Sequence, residues 1–368
     1  MVGRLSPAQK VHRPRRLAAM LACSICVFWL LGAWGAPSAT AETEPITTIA
    51  ATQHAEELTS LRYGSQSHQL LELLLPDPKS FDGPYPVVVY LHSGGWVAGD
   101  RYALNDIAAV QLRRGYAVAS VEYRLATTSS TGTRVASFPG AIWDVKTAIR
   151  FLKVSAGSLY LDPKRIVLMG SSAGGHLAAF VAATAGRFEP PRLSGEMRKV
   201  DSTVAAVVDI VGPTDLVTFE HTPHPWALPL TAAFLGCPTP TQAVPYTCAD
   251  SALRAASVAT YLDPADPPIY LAYGAQDTLV VPATQGAPLA DAWMQTHCGD
   301  PTSASYHVVS TAGHDLSPTD VEATLDPWMD AHTRLPDANV VGQHPSARCR
   351  PSDQTRRGVV LRTGRPTK

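Results

Sequence analysis

This chain has little net charge, no second long apolar run and no zinc-like spacing of cysteine and histidine. Thirty basic residues meet 31 acidic ones, for a net charge of −1. The balance hides an uneven distribution. Residues 1–41 carry Arg4, Lys10, Arg13, Arg15 and Arg16 and no acid, and residues 346–368 carry Arg348, Arg350, Arg356, Arg357, Arg362, Arg365 and Lys368 against Asp353 alone. The body between is therefore acidic, which excludes a nucleic-acid partner for the folded part, because phosphate binding needs basic surface. Beyond residue 36 nothing is apolar for long enough to cross a bilayer. No internal repeat occurs. The pair His221 and His224, in His-Thr-Pro-His, reads as two loop histidines rather than metal ligands. No metal and no cofactor are expected.

The amino terminus has the parts of an export signal. A basic region ends at Arg16, Leu17 to Ala36 is apolar, and Ala39-Thr40-Ala41 supplies the small-residue cleavage pattern. Residues 1–41 are expected to be removed, giving an exported (extracellular or periplasmic) protein with no stable membrane association. The alternative is an uncleaved anchor through residues 17–36, a run long enough to span a membrane. Cys23 lies in that run, in flanks that fit lipid attachment poorly. The mature chain then holds Cys237, Cys248, Cys298 and Cys349, an even number that favours disulfides outside the cell. Of the three pairings, Cys237–Cys248 closes a short Pro-rich loop and leaves Cys298–Cys349 to staple the tail to the body.

Residues 42–60 read as a polar leader. From Leu61 the chain alternates strands with helices: strands at 61–63, 69–75, 86–92, 116–123, 165–169, 204–211, 268–273 and 305–309, helices at 104–114, 141–152, from Leu177, 283–296 and 320–332. That alternation predicts an α/β domain over 61–335, with a mostly parallel central sheet covered by helices on both faces. Residues 214–263 break the rhythm with prolines, two cysteines and scattered aromatics, the mark of a lid or binding insertion after the strand that follows the helix at Leu177. Residues 336–368 form a Pro/Arg-rich tail expected to lack order.

The chain's chemistry centres on Gly170-Ser171-Ser172-Ala173-Gly174, which follows the strand ending at Met169 and opens a helix. This is the strand–turn–helix context of a G-x-S-x-G nucleophile elbow, in which a strained turn lifts a serine hydroxyl to the sheet rim. A serine hydroxyl is a weak nucleophile unless a histidine takes its proton and a carboxylate orients that histidine. Asp277 and His314 follow in the chain order this architecture uses, each just past a strand. Taken singly, Asp277 could be a turn former and His314 a loop histidine; in order, at successive strand ends, they form a set. His92-Ser93-Gly94-Gly95-Trp96 ends an earlier strand. Its glycines let backbone N–H groups approach a developing oxyanion, so donors are expected from Gly94, Gly95 and Ala173. His92 and Trp96 are expected to support that loop.

Together with Tyr123-Arg124-Leu125, Phe138-Pro139, Asp144 and Gly175-His176-Leu177, these motifs resemble the α/β-hydrolase fold esterases. The nearest branch is the bacterial feruloyl/acetyl-xylan esterase-like (BD-FAE) group, related to the hormone-sensitive-lipase-like carboxylesterases. The resemblance spans roughly residues 60–333. It implies a serine carboxylesterase that acts on short-chain or aromatic acyl esters through an acyl-enzyme, with Ser172, Asp277 and His314 as triad, no cofactor, and a small-molecule or polysaccharide-linked ester as substrate. It also implies a structural pairing of Arg124 with Asp144 beneath the site. Two positions depart from the related groups: Ser93 replaces the first glycine of the usual His-Gly-Gly-Gly loop, and Ser171 stands where the lipase-like group has Asp. Two other readings remain open. Arylformamidases share a similar His-Gly-Gly-x-Trp loop, and a hydrolase scaffold can serve as a non-catalytic binding protein.

Overall fold

Runs of β-branched residues here build strands whose two faces are both buried. The computed structural model describes residues 56–128, 134–238 and 248–333; the signal segment, most of the leader and the tail of the sequence reading lie outside them. Strands are β1 (Glu56–Arg62), β2 (Leu70–Leu75), β3 (Tyr85–Leu91), β4 (Ala117–Val121), β5 (Thr127–Thr128), β6 (Arg134–Val135), β7 (Leu161–Ser171), β8 (Ala206–Ile210), β9 (Ile269–Gly274) and β10 (Ala304–Val309). Helices are α1 (Asp106–Ala109), α2 (Gly140–Leu159), α3 (Ala173–Ala182), α4 (Leu216–Glu220), α5 (Ala227–Leu235), α6 (Asp250–Ala255), α7 (Gly286–Thr296) and α8 (Pro318–Thr333).

Among the described residues one sheet has eight strands in the order β1-β2-β4-β3-β7-β8-β9-β10. Pairing is antiparallel for β1–β2 and β2–β4 and parallel from β4 through β10. Alternation along the strands divides the core in two. Val87, Val89, Leu91, Leu168 and Val207 pack with Ile149 of α2, Leu177 of α3 and Trp293 of α7. Val88, Tyr90, Val167, Met169 and Val208 pack with Ile107 of α1 and with Val321 and Leu325 of α8. This is the α/β-hydrolase arrangement.

Three elements differ from the sequence reading. The helix expected over 104–114 is one α-turn, capped by the Asn105 side chain on Ala108 N–H at 2.9 Å, followed by a 3-10 turn over Val110–Arg114. Helix α2 runs on past Leu152 to Leu159, since neither proline nor a turn cluster interrupts it, and ends where Tyr160 turns left-handed at φ 59°. Strand β1 starts at Glu56, inside the expected leader; its Ser60 hydroxyl bonds the Glu72 carboxylate of β2 at 2.5 Å, a polar link that the apolar pattern did not register. The 214–263 insertion holds α4, α5 and α6, and the Cys237–Cys248 disulfide ties the end of α5 to the start of α6. Cys298 is disulfide-bonded too, while Cys349 lies outside the described residues.

Candidate active site

Strand β7 is central, between β3 and β8, and its carboxyl end carries the elbow. Ser172 is forced to φ 54° and ψ −117°, a conformation that costs a non-glycine residue about 1–3 kcal/mol and persists only when its surroundings impose it. They do so here: Ser172 N–H donates to Ile210 O of β8 at 2.7 Å, and Ser172 O accepts from His176 N–H at 3.0 Å. Gly174 abuts the Leu91 and His92 carbonyls so closely that a Cβ there would collide with them. That approach brings the start of α3, with Ala173, beside the loop that leaves β3.

The structure brings Ser172, His314 and Asp277 together. His314 Nε2 lies 2.9 Å from Ser172 Oγ, and His314 Nδ1 lies 2.7 Å from Asp277 Oδ2. A carboxylate only accepts, so Nδ1 carries the hydrogen and Nε2 is left to accept the serine proton. Asp277 Oδ1 accepts from the Leu279 and Val280 N–H groups at 2.8 and 2.9 Å. The Asp277 side chain is fully buried, whereas that of His314 is 29% exposed. The arrangement suits a fixed acid and a base open to substrate.

The loop after β3 is held from several sides. The His92 ring stacks on Tyr123 at 4.2 Å and donates from Nδ1 to Ser93 O at 2.7 Å; burial lowers its pKa, against the pull of that bond and of Asp100. Gly94 O accepts from Val97 and Ala98 N–H groups. Gly94 and Gly95 take φ 119° and 60°, and Trp96 takes 62°, while Ser93 has no positive φ, so the serine in place of glycine is tolerated sterically. The buried Trp96 ring stacks on Phe234 of α5 at 4.5 Å and meets His176 edge-on at 5.3 Å. Below the loop, Arg124 Nε and Nη2 donate to the two Asp144 oxygens at 2.7 and 2.8 Å, joined by Arg124 N–H, Gln69 and His68. Burial pushes the Asp144 carboxyl up, and these donors outweigh it and hold it below its usual range. His221 bonds Val217 O and His224 accepts from Trp226 N–H, and no group of three or more metal-ligating side chains occurs among the described residues.

Asp209 of the site's support escaped the sequence reading, and His176 entered it only as part of a motif. Asp209 is buried at the end of β8, against Gly175. Its Oδ1 accepts from Gly212 N–H at 2.8 Å, and Tyr273 Oη lies 3.0 Å from Oδ2 and 2.7 Å from Gly212 O. Tyr273 has one proton for two acceptors. Only in its protonated form does Asp209 relieve this, its O–H then donating to Tyr273 Oη while Tyr273 donates to Gly212 O. Burial raises the Asp209 pKa to about 7, against the bonds from Tyr273 and Gly212. His176, fully buried, donates from Nε2 to Ala256 O at 2.8 Å, and burial lowers its pKa to about 4. An aspartate inside an apolar run, Ala206-Val207-Val208-Asp209-Ile210, was the available signal.

The profile of the BD-FAE family matches residues 71–293, more than half the chain. The chain belongs to the BD-FAE family. The family match takes in Ser172 and Asp277 and ends before His314. Relatives of this BD-FAE chain include the probable carboxylic ester hydrolase LipM of Mycobacterium tuberculosis, 26% identical over 228 residues, 62% of this chain and 49% of LipM. Esterase LipC of the same organism is 33% identical over 158 residues, 42% of this chain and 36% of LipC. The match thus spans about half the length of LipM and less of LipC. Among solved structures, a truncated carbohydrate esterase from gut microbiota superposes with a TM-score of 0.61 over 77% of this chain and 99% of its own, at 23% identity, a likeness of fold.

Proposed function

We propose that the chain is a serine carboxylesterase acting on short-chain or aromatic acyl esters, free or linked to polysaccharide. The observation that carries this reading is the continuous hydrogen-bonded line from Asp277 through His314 to Ser172. Ser172 Oγ attacks the ester carbonyl while His314 Nε2 takes its proton and Asp277 stabilises the resulting imidazolium. Negative charge on the carbonyl oxygen meets N–H donors of Gly94, Gly95 and Ala173, each worth a few kcal/mol to the transition state. His314 then protonates the leaving alcohol, and water, activated the same way, releases the acid from the acyl-Ser172 intermediate.

The experiment is hydrolysis of p-nitrophenyl acetate by the purified mature protein. Ser172→Ala is expected to abolish turnover with an unchanged circular dichroism spectrum; hydrolysis retained by this variant refutes the mechanism. The names of LipM and LipC support an ester bond. The loop His92-Ser93-Gly94-Gly95-Trp96 favours a second reading, an arylformamidase-like amide hydrolase. Turnover of N-formylkynurenine beside p-nitrophenyl acetate separates the two. Labelling by a fluorophosphonate probe excludes a non-catalytic scaffold. Export after cleavage at Ala41 belongs to the same proposal; no helix among the described residues is long and apolar enough to cross a membrane.

A further inference from the structure

Gly95 has a neighbour from the insertion. Helix α5 buries Ala227, Thr231 and Phe234 along one face, and Leu230 lies on that face by helical spacing but is only half-buried. A methyl built on Gly95 would stand 2.5 Å from Leu230 Cδ2 and 3.0 Å from Cδ1. The leucine isobutyl group therefore fills the space above Gly95 that a side chain would claim. Gly95 itself stays half-exposed, as does the neighbouring Gly94.

The mounting of Leu230 is firm. Phe138 N–H donates to Phe234 O at 3.1 Å, and Cys237 N–H donates to Ala232 O at 2.8 Å. The Phe234 ring stacks on Trp96, one residue past Gly95, and the Cys237–Cys248 disulfide closes the end of the helix. The helix that carries the leucine is thus tied to the loop it covers, and the leucine stands as a wall above Gly95.

We propose that Leu230 sets the length of aliphatic chain that an ester may carry beside its carbonyl, admitting short groups and excluding long ones. This rests on the esterase reading, in which the carbonyl oxygen is held at the loop containing Gly95. With the oxygen there, the first carbons of the acyl or alkoxy group pass the leucine methyls. One or two carbons find apolar contact; a longer chain meets the fixed side chain. Apolar pockets discriminate single methylenes by tenfold or more when their walls cannot yield.

The test uses wild type, Leu230→Ala, Leu230→Val and Leu230→Phe with two substrate series: p-nitrophenyl acetate, butyrate and octanoate, and the ethyl, butyl and octyl esters of acetic acid. Leu230→Ala is expected to raise the long-to-short ratio of kcat/KM by about tenfold or more in one series. Leu230→Val is expected to raise it less, and Leu230→Phe to lower it. Movement in the first series assigns the wall to the acyl group, and movement in the second assigns it to the alcohol. Unchanged ratios in both series, in any of the variants that folds and labels with a fluorophosphonate, overturn the proposal. Failure of the esterase reading looks different, because wild type would then hydrolyse no member of either series.

Discussion

Asp144 shows at the scale of one residue how the site is underpinned. Its side chain is wholly buried and reached by Arg124, Gln69 and His68, with Arg124 as the bidentate partner. A buried carboxylate stripped of its cation costs far more than the pair contributes, about 3–5 kcal/mol. Arg124→Met is therefore expected to lower the urea unfolding free energy by about that much, and Arg124→Met with Asp144→Asn to recover part of the loss. A double variant as unstable as the single one would show that the charge is not the cause. The residue types of this pair stand in the sequence, but their partnership spans 20 residues and leaves no local trace. Ser172 is the opposite case. Its flanking Gly170 and Gly174 expose the strained turn to any reader of the chain.

At the scale of elements, the insertion and the loop after β3 form one unit. Phe234 of α5 stacks on Trp96, which in turn meets His176 of α3. One aromatic cluster thus joins the insertion, the loop after β3 and helix α3. Phe234→Ala opens a cavity in that cluster. It is expected to cost about 3–5 kcal/mol in stability and to lower kcat on p-nitrophenyl acetate at temperatures where the variant remains folded. Full kcat in the folded variant would show that the loop holds its shape without α5. The sequence marks 214–263 as an insertion by its broken rhythm, yet its docking on Trp96 depends on side chains distant along the chain.

Across the whole molecule, buried titrating groups set opposite pH slopes, His176 in one direction and Asp209 and Asp266 in the other. His176 is lowered from 6.5 to about 4, so the unfolded chain takes up the proton first and stability falls as pH drops from 6.5 toward 4. Asp209 is raised from 3.8 to about 7. Its neutral form contributes stability that is fully present below about 4 and is lost as pH rises through 7. The His176 and Asp209 shifts correspond to roughly 3 and roughly 4 kcal/mol at full extent, and Asp266, raised in the same direction as Asp209, opposes His176 alongside it. Asp209→Asn preserves an acceptor for Gly212 N–H and a donor for Tyr273, and removes one of the two acidic slopes that oppose His176. Relative to wild type, its urea midpoint is expected to gain steadily between pH 4 and 7 and to keep a constant offset from there to pH 8.5. His176→Gln is expected to decline steadily from pH 4 to 7.5. Parallel profiles for the two variants would sink this assignment.

The alternation of strands and helices, the Gly170–Gly174 turn, the places of Asp277 and His314 after later strands, and the glycine loop were all legible along the chain, because each is a local pattern set by apolar period or backbone freedom. The short-range disulfide between Cys237 and Cys248 was legible for the same reason. Tertiary structure alone decided which buried groups meet: Asp209 with Tyr273, His176 with Ala256 O, Trp96 with Phe234, and Leu230 over Gly95. These contacts join residues from separate strands and helices, and only the packed fold defines their distances, exposure and desolvation.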